Sequence, residues 1–381
     1  MQNKKILIAP LNWGLGHATR CIPIINELHR QGAEVILASD GVALDLLKSE
    51  FPSLKIHQLP AYNIRYPYRN MMLSMATQMP KILRGAIAEN CWLKNYLKEN
   101  SVFAVISDNR FGFYNRKVKS IFITHQVNIK IPIALFQPLV NKINHYFIKK
   151  FDECWIPDFA NEPNLAGHLS HGIADKQLKI KYLGVLSRMK YFAATQIYRA
   201  IAVLSGPEPQ RTNLENIILK QFKEIVAKKT PAFEPRNTEI QLSETQAPPQ
   251  YFNKFILVRG VTSEEKSDFS HTNIEIHNYL KTNDLNQKIL ESNLMICRSG
   301  YSTVMDLVNL KSRAILIPTP GQTEQEYLAE GLTANQSFYS QLQDDLNLEK
   351  ALEQVPHFKG FDESFAQNDF LKEIISELLN N

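Results

Sequence analysis

The sequence predicts an α/β protein of two domains, each built on a parallel sheet, and three observations lead there. Short apolar segments alternate with amphipathic stretches along most of the chain, the rhythm of β-α-β units, whose strands run parallel. Two such units, one at the start and one late in the chain, pass from strand to helix through a turn of small residues. The length of 381 residues, 44% hydrophobic and 21% charged, suffices for two cores.

In the first half, Lys5 to Ala9 reads as a strand and Asn12-Trp13-Gly14-Leu15-Gly16-His17 as a glycine turn. A helix follows through Ile22, Ile25 and Leu28 to a stop at Gly32. Strands at Glu34 to Ala38 and Leu54 to Leu59 flank a helix at Val42 to Glu50. Gly14-x-Gly16, with Asp40 ending the second strand, superficially resembles a dinucleotide fingerprint, but Thr19 stands where the third glycine belongs, which argues against NAD. His17 falls at the carboxyl end of the first strand, the edge where open α/β sheets hold ligands. Imidazole titrates near neutrality, so His17 is a candidate general base; a histidine capping the helix or bonding a backbone carbonyl is the alternative. After a long helical stretch to about Asn100, the strand Val102 to Ser107 delivers Asp108 to the same edge, to orient His17, contact an acceptor or cap a helix. Ser120 to Thr124 delivers His125 and Gln126 there. A helix around Ile131 to Ile148 and strands at Glu153 to Ile156 and Ile180 to Leu183 complete this half.

Gly184 to Ser187 reads as the crossing into the second half, where Arg199 to Leu204 is a strand, Ser205-Gly206-Pro207-Glu208-Pro209-Gln210 a stiff turn and Leu214 to Ala227 a helix. The polar segment Lys229 to Gln250, with four prolines, reads as an extended loop before strands at Phe255 to Arg259 and Asn273 to His277. Leu294 to Cys297 is a buried strand, Arg298-Ser299-Gly300 a tight turn and Thr303 to Leu310 a helix with Val304, Leu307 and Val308 inward. Such a turn gathers backbone N–H groups and the positive end of a helix at one point, which suits a pyrophosphate, with Asp306 near enough for ribose hydroxyls. An ordinary β-α-β unit with a close-packed Ser-Gly turn is the alternative. Arg313 to Ile317 is the next strand, and Thr319-Pro320-Gly321-Gln322 opens a helix whose Glu324, Gln325 and Glu326 suit polyhydroxyl groups. Two helices close the chain after Leu346, the last at Phe365 to Leu379.

The stretches CRSGYSTVMDL, 297–307, and IPTPGQTEQEYLAEG, 317–331, resemble the donor-binding region of glycosyltransferase family 28. The resemblance covers most of the chain but is specific at 293–330 and, less so, at 12–23. It implies the GT-B fold, two Rossmann-like domains with parallel sheets facing across a cleft. Residues 1–183 would bind acceptor, 184–361 would bind the nucleotide-sugar donor, and the helix in 362–381 would pack back on the first domain. It implies that Arg298, Ser299, Gly300 and Thr303 hold the donor diphosphate, that Asp306 binds ribose, and that Gln325 with Glu326 binds sugar hydroxyls. Tyr279 and Leu280 would hold the base through backbone groups, Gly206 and Glu208 would border the donor, and Gln210 and Arg211 would reach its phosphates. Gly14 and Gly16 form the first glycine loop, ending in the catalytic candidate His17, with Asp108 beside it. Two departures, Asp306 for the family's Glu and Glu326 for its second Gln, leave the sugar open.

The activity implied is sugar transfer from a nucleotide donor, a UDP-sugar, to a hydroxyl acceptor on a lipid-linked or glycan substrate, by single displacement with inversion. No cofactor beyond this co-substrate and no metal are expected, since no Asp-x-Asp site is visible and a helix N-terminus can carry the diphosphate charge. A sugar-nucleotide 2-epimerase and a binding protein without turnover are the alternatives.

Composition narrows the classes further. Cys21, Cys91, Cys154 and Cys297 lie far apart with no CxxC pair, against a disulfide framework or zinc site and in favour of a reducing cytoplasm. The N-terminus lacks a signal-peptide cleavage pattern, and Ile129 to Val140, broken by Lys130, Pro132 and Pro138, is shorter than the roughly 20 residues a spanning helix needs. The net charge of +5 is small and no nucleic-acid partner is expected, but the basic surplus lies in the first half. Residues 109–151 contain no Asp or Glu, and 61–88 interleave Arg65, Arg69, Lys81 and Arg84 with Tyr62, Tyr66, Tyr68, Met71, Met72, Leu73 and Met75. Basic and apolar residues so mixed suit an anionic membrane surface, peripherally on the inner face of the cytoplasmic membrane; a solvated face with ordinary core is the alternative.

Overall fold

A computed structural model describes residues 4–62, 71–228, 254–261, 271–361 and 369–380. The expected loop at 229–250, and residues 63–70 of the basic and aromatic stretch, lie outside these residues. The chain divides into two compact units, Met1–Arg188 with Gln367–Asn381, and Met189–Ala366.

Unit 1 is a seven-stranded sheet, parallel throughout, in the order β3-β2-β1-β4-β5-β6-β7. Its strands are β1 (Lys5–Pro10), β2 (Glu34–Ser39), β3 (Lys55–Gln58), β4 (Ala104–Asp108), β5 (Lys119–Ile123), β6 (Glu153–Ile156) and β7 (Ile180–Tyr182). The helices are α1 (Gly16–Arg30), α2 (Gly41–Glu50), α3 (Met71–Glu99) and α4 (Gln137–Ile148). Sheets covered on both faces carry apolar residues at successive positions, and Ile6, Leu7, Ile8 and Ala9 are all fully buried. The chain order reverses between β1 and β4, so their carboxyl ends lie side by side at the point where such sheets accept ligands.

The unit boundary falls after Arg188 rather than after residue 183. Gly184 N donates to Asp158 O at 3.0 Å, and Arg188 lies 3.6 Å from Glu50, so the segment stays with unit 1. The last helix, α10 (Phe370–Asn380), belongs to unit 1 as well. It buries Ile375 and Leu378, pairs Glu377 with Lys181 at 2.7 Å, and accepts at Leu379 O from Lys4 Nζ at 2.6 Å.

Unit 2 repeats the plan with six parallel strands ordered β10-β9-β8-β11-β12-β13. They are β8 (Ala200–Val203), β9 (Phe255–Val258), β10 (Ile274–His277), β11 (Leu294–Cys297), β12 (Arg313–Leu316) and β13 (Tyr339–Ser340). Its helices are α5 (Gln210–Ala227), α6 (Thr282–Leu290), α7 (Tyr301–Asn309), α8 (Thr323–Ala334) and α9 (Leu348–Gln354). Leu214, Ile218 and Phe222 of α5 pack with Ala202, Leu257, Ile296 and Ile315 in one core, and here the reversal lies between β8 and β11. The sequence pattern did not signal β13, which is two residues long, or α6, a short helix with little apolar content.

Beneath the carboxyl edge of unit 1 lies a buried ionic cluster. Arg110, fully buried, pairs with Asp40 and with Glu89 Oε2 at 3.1 Å, and donates from Nε to Pro10 O at 2.9 Å. Tyr62 OH and Gly112 N donate to Glu89 Oε1 at 2.5 and 2.7 Å. Burial pushes the Glu89 carboxyl up although Arg110 opposes it. Asp40 is therefore one of Arg110's counter-ions, and the fingerprint role that its position suggested is excluded. Gly112 is required by close approach, since a Cβ there would lie 1.9 Å from the Ala86 carbonyl oxygen. Gly112→Ala is expected to push α3 away and destabilise unit 1 by about 2–3 kcal/mol, read as a lowered urea midpoint.

Candidate active site

In unit 1 the glycine turn ends β1 and α1 begins at Gly16, so His17 and Arg20 project from its first turns. β4 ends at Asp108, whose side chain is fully buried between them. His17 Nδ1 lies 2.8 Å from Asp108 Oδ1. Arg20 grips both oxygens of the same carboxylate, Nε meeting Oδ2 at 2.5 Å and Nη2 meeting Oδ1. Arg20 Nη1 is 3.0 Å from Nδ1 of His125, which follows β5. Burial alone would raise the Asp108 carboxyl, but Arg20 and His17 outweigh it and hold it well below the usual range. Burial pulls the His17 imidazole down; Asp108 opposes this and Arg20 adds to it. The imidazole is therefore neutral at neutral pH. With its proton on Nδ1 toward Asp108, Nε2 carries the lone pair, the arrangement of a positioned base. Asp108 orients His17, one of the roles its position allowed, and does not cap a helix.

In unit 2, β11 runs into Arg298-Ser299-Gly300, and Gly300, extended at φ −70°, is the N-cap of α7. A glycine there has no side chain to compete for the first-turn amides. Ser299 is buried and donates to Gln325 O at 2.8 Å, while Gln325 Oε1 accepts from Thr319 N at 2.9 Å. The turn before α7 and the loop before α8 are thus one assembly. Thr303 and Asp306 are half-buried on α7, and Tyr279 and Leu280 leave β10 at its carboxyl end, with Tyr279 exposed.

Four assignments change. Arg298 is 1% exposed, and its two Nη groups donate to Ile317 O, Pro318 O, Gln210 O and Gln343 Oε1 at 2.7–3.2 Å, so they tie loops together and only Nε is left without a partner among the described residues. Burial lowers this guanidinium to about 10. Glu208 has both oxygens engaged, by Arg211 Nε at 2.5 Å and Thr212 N at 3.2 Å, which makes it the brace of the first turn of α5. Arg211 also bonds Glu215 Oε2 at 2.5 Å and Arg259 O at 3.2 Å, and is held away from any phosphate. Glu326 Oε1 accepts from Gly321 N at 2.8 Å, so it shapes its own loop.

Gly206 lies beside two buried polar atoms. Its φ of +109° suits glycine alone, and a Cβ there would sit 3.7 Å from Thr319 Oγ1 and 4.0 Å from Arg298 Nε. Both of those atoms are buried and have no hydrogen-bond partner among the described residues. Two buried groups beside the starts of α5 and α7 thus keep unused hydrogen-bonding capacity that an acceptor oxygen could meet.

Residues 213–377 match the glycosyltransferase family 28 C-terminal domain. The chain is a glycosyltransferase. An uncharacterised glycosyltransferase of Methanosarcina mazei is 24% identical over 338 residues, spanning 84% of this chain and 81% of its own. Among solved structures, the calicheamicin glycosyltransferase CalG4 has a TM-score of 0.61 at 11% identity and covers 100% of this chain and 95% of its own. MurG of Acinetobacter baumannii has a TM-score of 0.56 at 12% identity, covering 99% and 100%. These likenesses establish the GT-B fold, and the two parallel sheets agree with it.

Reading the sequence missed Arg20, Thr319 and Gln343 in this glycosyltransferase. The Arg20 signal was available, since Arg20 lies one turn after His17 on the same helix face. Nothing local marks Thr319 or Gln343.

The low Asp108 carboxyl has a pH signature. Its contribution to stability is complete above the ordinary carboxylate range and is lost as pH falls through its depressed value. Asp108→Asn leaves Arg20 buried without its counter-ion and should lower stability at neutral pH by about 3 kcal/mol. Urea unfolding at successively lower pH should show the variant losing less of its remaining stability than the parent.

Proposed function

We propose that the glycosyltransferase moves a sugar from a UDP-sugar to a hydroxyl of a lipid-linked or glycan acceptor, with inversion. The observation that carries the donor assignment is the pair of unsatisfied donors, Arg298 Nε and Thr319 Oγ1, facing the space beside Gly206. Buried polar groups without partners are rare in a finished fold, and a phosphate oxygen of the donor satisfies both. The amides at the start of α7 take the remaining diphosphate charge, Asp306 the ribose, Tyr279 and Leu280 the base, and Gln325 the sugar. Gly14 and Gly16 let the chain turn tightly ahead of His17.

The reaction follows from these groups. The acceptor oxygen attacks the anomeric carbon, whose bond to the diphosphate breaks on the opposite face with the electron pair leaving on the diphosphate. The hydroxyl proton passes to His17 Nε2, and Asp108 stabilises the imidazolium that forms. The fixed dipoles and donors of unit 2 stabilise the leaving diphosphate without a bound metal, so turnover should persist in EDTA. A SpnG rhamnosyltransferase solved with thymidine diphosphate is among the structural neighbours, so UDP, GDP and dTDP belong in one binding panel.

The acceptor side rests on the surface of unit 1. Around α4, Leu135, Phe136, Leu139, Ile143 and Tyr146 are all at least half exposed or close to it, Leu135 reaching 83%. Lys142 lies among them, and Lys150 covers the Tyr146 ring at 4.1 Å. On α3, Met79, Leu83 and Ile87 are exposed beside Lys81 and Arg84. Among the described residues no helix is long and apolar enough to cross a membrane. We read these faces as lying on an anionic membrane, on its cytoplasmic side, where a lipid-linked acceptor would be met.

Four experiments test this reading. Incubation with nucleotide sugars, with and without a membrane-lipid extract, should release UDP only when acceptor is present; conversion of the nucleotide sugar to its epimer without acceptor would indicate an epimerase, and thermal stabilisation without turnover a binding protein. His17→Ala should lower the transfer rate about 10²–10⁴-fold with UDP binding unchanged. Thr319→Val removes an unsatisfied hydroxyl, so the free protein should be as stable or more stable, while UDP binds on the order of 10-fold more weakly by calorimetry. Leu139→Glu with Ile143→Glu should abolish sedimentation with vesicles containing anionic lipid and leave the melting temperature in place.

A further inference from the structure

We propose that Arg20 is a positioning residue that holds His17 and His125 in opposite tautomers, a bare Nε2 on His17 and an Nε2–H on His125. The inference rests on the reading of His17 as the base. Arg20 is 1% exposed, and its guanidinium has hydrogens to give and no lone pair to offer. Its Nη1 lies 3.0 Å from His125 Nδ1, so that nitrogen must accept, and a neutral His125 then carries its proton on Nε2.

His17 is the reverse case. Its Nδ1 lies 2.8 Å from Asp108 Oδ1 and 2.9 Å from Arg20 Nη2. A carboxylate only accepts and a guanidinium only donates, so one of these approaches is a bond and the other a contact. Arg20 already donates to both Asp108 oxygens and to His125. A lone pair turned toward the ionised, fully buried Asp108 would forfeit a charge-assisted bond and set two electron-rich atoms together. Nδ1–H toward Asp108 is therefore the arrangement of lower energy.

The charged and titratable groups around His17 are Arg20 on its own helix, Asp108 from β4 and His125 after β5. Cys21, whose Sγ lies 3.5 Å from Asp108 Oδ2, stays a neutral thiol because burial raises it. One guanidinium thus gives two neighbouring imidazoles different work. His17 can take a proton from an acceptor hydroxyl, whereas His125 Nε2, which meets the Gln126 side-chain amide at 3.5 Å, has a hydrogen to give and no lone pair to receive one.

Nitrogen-15 spectra of the histidine rings in the intact chain, without substrate, test this directly. His17→Gln and His125→Gln assign the signals. Above the histidine titration, His17 should show Nδ1–H and His125 Nε2–H. Arg20→Lys keeps a charge beside Asp108 but cannot span to His125, so His17 should keep its tautomer and His125 should become a mixture. Arg20→Met should in addition move the His17 midpoint upward, since the positive charge that depresses it is gone. Equal tautomers in the parent protein, or an unchanged His125 signal in both variants, would overturn the proposal. Should the variants not fold, the parent spectrum alone decides it. Absence of sugar transfer would undo the functional reading without altering these spectra, so the two failures are separate.

Discussion

A guanidinium buried in a protein cannot shed its proton, so the chain around it must supply acceptors in fixed directions. Arg20, Arg110 and Arg298 are among the largest fully buried side chains, and each lies near the carboxyl edge of a sheet. Each decides what its neighbours can do. Arg110 takes Asp40 and Glu89 out of service as ligands, Arg20 keeps Asp108 ionised against His17, and Arg298 draws the carbonyls of two loops around itself.

The two units meet this constraint with different chemistry. In unit 1 the acceptors are carboxylates, which makes an ionic cluster whose protonation states are tightly set. That is what a group handling a proton needs from its surroundings. In unit 2 Arg298 is met mainly by backbone oxygens and an amide, so its charge is not neutralised. A positive, under-bonded centre beside two helix starts favours a dianionic ligand, whereas a buried carboxylate there would oppose one.

Much of this was legible in the residues. The strand and helix alternation, the small-residue turns and the position of His17 and Asp108 at strand ends all follow from periodicity and turn chemistry, and the structure has them within a few residues of the expected bounds. Individual roles were less legible. Arg298, Glu208 and Glu326 are polar residues in the right loops, yet the structure gives each a partner within the protein. Sequence places a polar side chain in a loop but does not say whether it turns toward solvent or toward its own backbone. That choice depends on carbonyls brought in from far along the chain, such as Gln210 for Arg298, 88 residues away.

The sequence by itself determined the α/β class, the two parallel sheets and the strand ends at which His17 and Asp108 stand, because side-chain period and small-residue turns act over a few residues. Tertiary structure decided which polar groups are paired and which are left over. Thr319 and Arg298 face the space beside a third loop because Gly206 carries no side chain there, and Arg20 became the link between two histidines only when β4 and β5 stood next to β1 and α1. Hydrogen-bond satisfaction is a property of the whole packed edge, and no local stretch of sequence encodes it.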